Sequence, residues 1–178
     1  VRVSAVLLPA VEFAVGFIQA AHLGRGREGI MAKVESVPSG YNTVTPALVV
    51  KDAEQALAFY KKAFGAEEHM VIRDPSGRFL HAEIRLGNSP IMLGESMEGY
   101  PVTTTSLYVY VVDCDAVYNR ALAAGAKAKS APKDGFWGDR YGQIEDGFGN
   151  LWTVATHKED VPPDEMRRRA IEAMSPSP

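Results

Sequence analysis

The chain has 178 residues, 46% hydrophobic and 23% charged, and reads as a soluble globular protein of one ordinary domain or two small modules. A formal net charge of −3 gives no general attraction to nucleic acid or to an anionic membrane surface. Cys114 is the only cysteine, which excludes an intrachain disulfide and a cysteine-based zinc cluster, and the composition suits the cytoplasm.

Residues 1–40 form an N-terminal extension or lead-in. The run VRVSAVLLPAVEFAVGFIQAAHLG is apolar but is broken by Pro9 and Glu12, too short and interrupted for a membrane span. A signal peptide, a partner-packing helix and an upstream extension preceding Met31 all remain open for it. GRGREG, at Gly24 to Gly29, is too short and unanchored for a phosphate loop.

From Thr45 the pattern becomes regular. Thr45 to Val50 is strand-like, and Asp52 is placed to cap a helix over Ala53 to Phe64. On that helix Ala53, Ala56, Leu57, Tyr60 and Phe64 share one face, and Gly65 stops it. Glu68 to Ile72 reads as a strand, and Asp74-Pro75-Ser76-Gly77 as a turn. Phe79 to Leu86 alternates, with Leu80, Ala82, Ile84 and Leu86 on one side and His81, Glu83 and Arg85 on the other. Gly87-Asn88 turns the chain into a strand over Pro90 to Leu93.

The second half repeats this order. Leu107 to Val112 is a strand, and Asp113 or Asp115 caps a helix reaching Ala124. Lys127 to Ser130 reads as a short strand, Ala131 to Gly138 as a loop, and Arg140 to Glu145 as a strand. Asp146-Gly147-Phe148-Gly149-Asn150 is a tight turn before a last strand, Leu151 to Ala155. The expected fold is α+β, with paired βαβββ modules over 41–95 and 104–156 inside a domain of 41–157. Residues 158–178 form a tail, with Pro162-Pro163 leading into an amphipathic helix from Asp164 to Met174. Arg167, Arg168 and Arg169 lie among acidic residues, so a solvated helix face outweighs a phosphate-binding patch.

Three stretches, DAEQALAFYKKAFGAEE, DPSGRFLHAEIRLGNSPIML and FWGDRYGQIEDGFGNLWTVATHKEDV, resemble the PhnB-like branch of the glyoxalase/bleomycin-resistance/dioxygenase superfamily, also called vicinal oxygen chelate. The resemblance covers about Tyr41 to Met174. It implies a cup of sheet from each module, and a homodimer, sometimes with exchanged modules. It also implies metal ligands on the first and last strand of each module, at positions that here hold Thr45, Met92, Ser106 and Thr153. Those side chains do not form the converging set of imidazole, thiolate or carboxylate that zinc, nickel or iron needs, so no metal and no other cofactor is expected. A displaced site would draw on His81, Glu83, Gln143 and Glu145, with His69 or His157, but two residues at i,i+2 are weak evidence. Some relatives carry a ubiquinone-pathway methyltransferase label, yet this chain has no glycine-rich nucleotide loop with an acidic partner.

The expected function is metal-independent binding of a small organic molecule, in the manner of antibiotic-sequestering relatives. Thr45, Met92, Tyr108, Tyr110, Trp137, Arg140, Tyr141 and Thr153 are the candidate ligand-binding residues. The alternative is an enzyme of isomerase, lyase or dioxygenase type. It would use a displaced metal or acid–base chemistry from His81, Glu83 and Glu145. Neither reading involves nucleic acid or a membrane. For each residue a plainer role competes: His81 as a structural hydrogen-bonding residue, Trp137 as loop or dimer packing, Cys114 as a quiet thiol.

Overall fold

The structure is a computed structural model and describes residues 34–175. The apolar run before Met31 and the GRGREG segment lie outside the described residues. Eleven elements follow in order: β1 (Ala47–Val50), α1 (Ala53–Phe64), β2 (Glu67–Arg73), β3 (Phe79–Leu86), β4 (Ser89–Glu95), β5 (Ser106–Tyr110), α2 (Cys114–Ala123), β6 (Lys127–Asp134), β7 (Asp139–Glu145), β8 (Leu151–His157) and α3 (Pro163–Met174). The strands form two sheets, β1-β4-β3-β2 and β5-β8-β7-β6, each with one parallel pair and two antiparallel pairs. This is the expected pair of βαβββ modules, followed by the expected C-terminal helix.

An aspartate cap opens the first crossover in both modules. Asp52 accepts from the Gln55 backbone N–H at 3.2 Å, and Asp113 accepts from that of Ala116 at 2.9 Å. Glu95, at the end of β4, adds a second cap by accepting from the backbone N–H groups of Asp52 (3.0 Å) and Ala53 (2.6 Å). Gly65 ends α1 in the left-handed region, its N–H returning to the Lys61 carbonyl at 3.1 Å.

Between the modules, the principal packing is α1 against α2. The apolar face of α1 lies over Leu48, Val50, Ile84 and Leu93 of its own sheet, in one buried cluster with Tyr118 and Ala121 of α2 and Ile144 and Trp152 of the other sheet. Each fully buried side chain of this size contributes roughly 1.5–3 kcal/mol by leaving water. Tyr60 ties the modules together: its hydroxyl donates to Asp146 at 2.8 Å, as do the Trp152 indole at 2.9 Å and the Asn150 amide at 3.1 Å. Asp146 also accepts from the backbone N–H groups of Phe148 and Asn150, so the DGFGN turn is built around a buried carboxylate.

Because the shared core takes the helix-covered side of both sheets, the other side of each faces away from it. Among the described residues no helix is long and apolar enough to cross a membrane. Helix α3 has no fully buried residue and leaves Ile171 and Met174 exposed. Arg167, Arg168 and Arg169 are paired with Asp164, Glu165, Glu172 and Glu159, which is the solvated face expected from sequence.

Strand limits differ in one informative region. The run expected to become a loop after Ser130 continues as strand to Asp134, through Pro132. β6 is an edge strand with register shifts between Ala128 and Lys133, so proline's missing N–H is tolerated there. β7 begins one residue earlier than expected, at Asp139, and β8 runs two residues further, to His157.

Candidate functional site

Strand pairing fixes which side chains share each open face. In the first module Ala47, Met92, Glu83 and Met70 form one cross-strand row, and Val49, Gly94, His81 and Ile72 the next. In the second, Tyr108, Thr153, Gln143 and Ser130 form a row, and Tyr110, Ala155, Tyr141 and Lys133 another. The repeat therefore sets Glu83 opposite Gln143 in kind, and His81 opposite Tyr141.

The second-module face is organised by a residue that sequence reasoning passed over. Asp139 is only 2% exposed. Its Oδ2 accepts from the Tyr108 hydroxyl at 2.9 Å, the Tyr110 hydroxyl at 3.0 Å and the Trp137 indole N–H at 3.0 Å. Its Oδ1 lies 2.8 Å from His157 Nδ1, and His157 Nε2 lies 3.1 Å from Asp160. Since Tyr108 and Tyr110 stand on β5 and Asp139 on β7, the two phenols must reach across β8. Their rings lie 5.1 Å apart, and Thr153 and Ala155 of β8 are buried. Trp137 adds its ring 4.7 Å from Tyr141 and 5.0 Å from Phe136. Even so, Tyr108 and Tyr110 remain 47% and 62% exposed, which is unusual for a tyrosine pair anchored on a buried carboxylate.

The electrostatics agree with this geometry. Burial works to raise the Asp139 pKa, but hydrogen bonds from His157, Tyr108, Tyr110 and Trp137 outweigh it and hold the carboxyl below its ordinary value. His157 is raised, first by its bond to Asp139 and then by Asp160. Burial, reinforced by Asp139, pushes Tyr108 up to about 12, and the bond to Asp139 also raises Tyr110.

The first-module face sets His81 and Glu83 among Ala47, Val49, Met70, Ile72 and Met92. His81 Nε2 is 3.8 Å from Glu83 Oε1, too far for a hydrogen bond, and is buried without any partner. Burial lowers the His81 pKa, against an opposing pull from Glu83. The Tyr41 phenol is raised, by burial and by the adjacent Glu83. Thr45 and Met92 line one pocket of about 170 Å³ together with Tyr41 and Pro38.

Of the sequence-predicted site residues, Tyr108, Tyr110, Trp137, Tyr141 and Thr153 are brought together on one face. Thr45, Met92, His81 and Glu83 lie on the other. Arg140 joins neither. Its neighbour in the sheet is Thr156, whose hydroxyl accepts from the Cys114 N–H on the helix side, and its guanidinium grips Asp115 at 2.5 and 2.7 Å. Glu145 is occupied at the sheet edge by Lys129 at 3.1 Å and Lys127 at 3.7 Å, and the Lys129 bond holds its pKa down. Cys114 is buried, its thiol directed at the Val154 carbonyl and its pKa raised by burial. Asp139 was legible in principle: extending the alternation of Tyr141, Gln143 and Glu145 back by two residues reaches it.

The metal positions implied by the family do not fit a metal. Met92 lies between Ala47 and Glu83, and Thr153 between Tyr108 and Gln143, so each row offers one side-chain oxygen donor beside groups that do not complete a first-row metal's ligand set. Among the described residues no three or more His, Cys, Asp or Glu side chains are grouped to hold an ion.

Known proteins place this arrangement. Uncharacterised proteins from Mycobacterium bovis and Mycobacterium tuberculosis are 38% identical over 135 residues, covering 70% of this chain and 89% and 79% of theirs. The crystal structure of TioX from Micromonospora superposes with a TM-score of 0.57 at 26% identity, covering 65% of this chain and 98% of that one. The PhnB protein from Bacillus cereus shares the fold, with a TM-score of 0.54 at 22% identity over 65% of this chain and 99% of its own. The family model for the Glyoxalase/Bleomycin resistance protein/Dioxygenase superfamily matches residues 41–154, the first module and nearly all of the second, and this chain belongs to that superfamily.

Proposed function

We propose that this protein binds a small planar organic molecule on its open sheet faces, without metal chemistry, and acts by sequestering it, an antibiotic being one such compound. The observation that carries the reading is the exposed aromatic face of Tyr108, Tyr110 and Trp137, anchored on the buried Asp139 carboxylate. A buried carboxylate with four partners costs desolvation, and fixing three large side chains in place before a ligand arrives reduces the ordering cost of binding. In a single chain the two open faces do not meet, so the proposed cup is completed by a second copy. The first-module face of one protomer then covers the second-module face of its partner.

One observation favours a second reading, an enzyme using acid–base chemistry. The buried, unpartnered His81 Nε2 beside Glu83 is a group available to a substrate. Burial favours its neutral form, which suits a base.

Native mass spectrometry of protein purified without a metal-chelating tag, with elemental analysis of the same sample, tests the proposal. The expected result is a dimer retaining an organic mass and no stoichiometric metal. Near-stoichiometric metal would overturn it. Consumption of the retained compound by wild type but not by His81→Ala would favour the enzyme instead.

A further inference from the structure

Asp139 does more than hold the aromatic face still; it sets the polarity that face offers. A tyrosine hydroxyl has one proton to donate and oxygen lone pairs to accept with, and an indole N–H can only donate. Tyr108, Tyr110 and Trp137 all direct their single proton at Asp139 Oδ2. His157 takes the other oxygen, so all four of these groups are committed to the one carboxylate. The two phenol oxygens therefore retain acceptor capacity and no donor. Among the described residues none of the other donor-bearing groups of this face is hydrogen-bonded to either phenol oxygen: the Gln143 amide donates to Thr153 at 3.2 Å, the Ser130 hydroxyl to the Ala131 carbonyl, and Lys133 Nζ lies 5.8 Å above the Tyr141 ring. His157 Nε2 is turned to Asp160.

Resting on the binding reading above, we infer that the second-module face selects planar aromatic ligands that carry a hydrogen-bond donor, an N–H or O–H at the ring edge, and discriminates against same-shaped ligands that can only accept. Stacking on the exposed tyrosine rings is indifferent to that distinction. The phenol oxygens are not: an acceptor brought against them loses its water and gains no partner.

Indole and benzofuran have nearly the same shape, but only indole carries an N–H. Each is titrated into the uniformly ¹⁵N-labelled full chain, following the Trp137 indole resonance. Indole is expected to bind about tenfold tighter, the value of one hydrogen bond set against one unpaired acceptor. Tyr108→Phe combined with Tyr110→Phe removes both phenol oxygens from exposed rings without emptying the core. It is expected to bring the two affinities within about twofold, by weakening indole and relieving the unpaired acceptor met by benzofuran. Asp139→Asn frees the phenol protons and is expected to erase the same preference; the phenylalanine pair keeps the test decisive if that variant fails to fold. Equal binding of the two probes to wild type overturns this inference and leaves the binding reading standing. No binding of either at Trp137 overturns both.

Discussion

Asp139 and Asp146 are carboxylates buried in the same module, and each gathers donors from separated parts of the chain. Asp146 joins Tyr60 of α1 to Trp152 of β8 inside the core, whereas Asp139 joins Tyr108 and Tyr110 to Trp137 at an exposed face. The first is explained by stability alone, because it bridges modules. The second stabilises rings that solvent still reaches, and for that reason it points to a ligand. Its histidine gives a testable sign. The folded-state pKa of His157 is raised by Asp139 and Asp160, so its contribution is fully present below the unfolded value near 6.5 and is lost as pH rises through the folded value. In urea denaturation, the stability difference between wild type and His157→Asn should be larger at pH 5.5 than at pH 8.5. A difference that grows with pH would contradict the assigned contact. The Asp139 contribution has the opposite sense: its pKa is lowered, so its stabilisation is present at neutral pH and disappears as acid protonates the carboxyl.

At the scale of elements, the start of β7 and the end of β8 carry the site, and backbone geometry holds them. Gly138, immediately before Asp139, has φ +96° and would place a Cβ 2.1 Å from the Glu159 carbonyl oxygen. The segment after β8 is bound there by the Lys158 and Glu159 N–H groups, which both donate to the Gly138 carbonyl. Gly147 has open space around its Cβ position and an ordinary φ. Gly138→Ala should therefore cost about 2 kcal/mol or more and shift the Trp137 resonance, while Gly147→Ala should be neutral within about 0.5 kcal/mol. Chemical denaturation with NMR of both variants checks this, and equal effects would remove the argument for close packing at Gly138. This is also where sequence reading ran short. Helix α1 was legible to the residue, because Asp52, an unbroken apolar face and Gly65 all agree. The strands bounding the site were not. Pro132 and Gly135 signal a loop locally, and tertiary pairing along an edge overrode that signal as far as Asp134, while Gly135 to Gly138 do turn the chain.

For the whole molecule, the repeated order of elements and its resemblance to a known superfamily made the two-module architecture readable. The resemblance also implied that the usual ligand positions hold Thr, Met and Ser side chains. Face membership was readable wherever alternation was strict, as for His81 and Glu83 or for Tyr108 and Tyr110. Which face each half contributes to a complete site was not, because local pattern is silent about packing between modules. Here α1 packs on α2 and both open faces are directed outward. The proposed dimer would cover them with a second copy. The most direct test of this account is chemical-shift mapping of the full chain with the organic compound recovered from native mass spectrometry, or with indole if none is retained. The account predicts the largest changes at the Trp137 indole and along β5, β7 and β8 around Tyr108, Tyr110 and Asp139. Changes confined to the groove of about 300 Å³ between α1 and the DGFGN turn, lined by Phe59, Ala124 and Phe148, would contradict it.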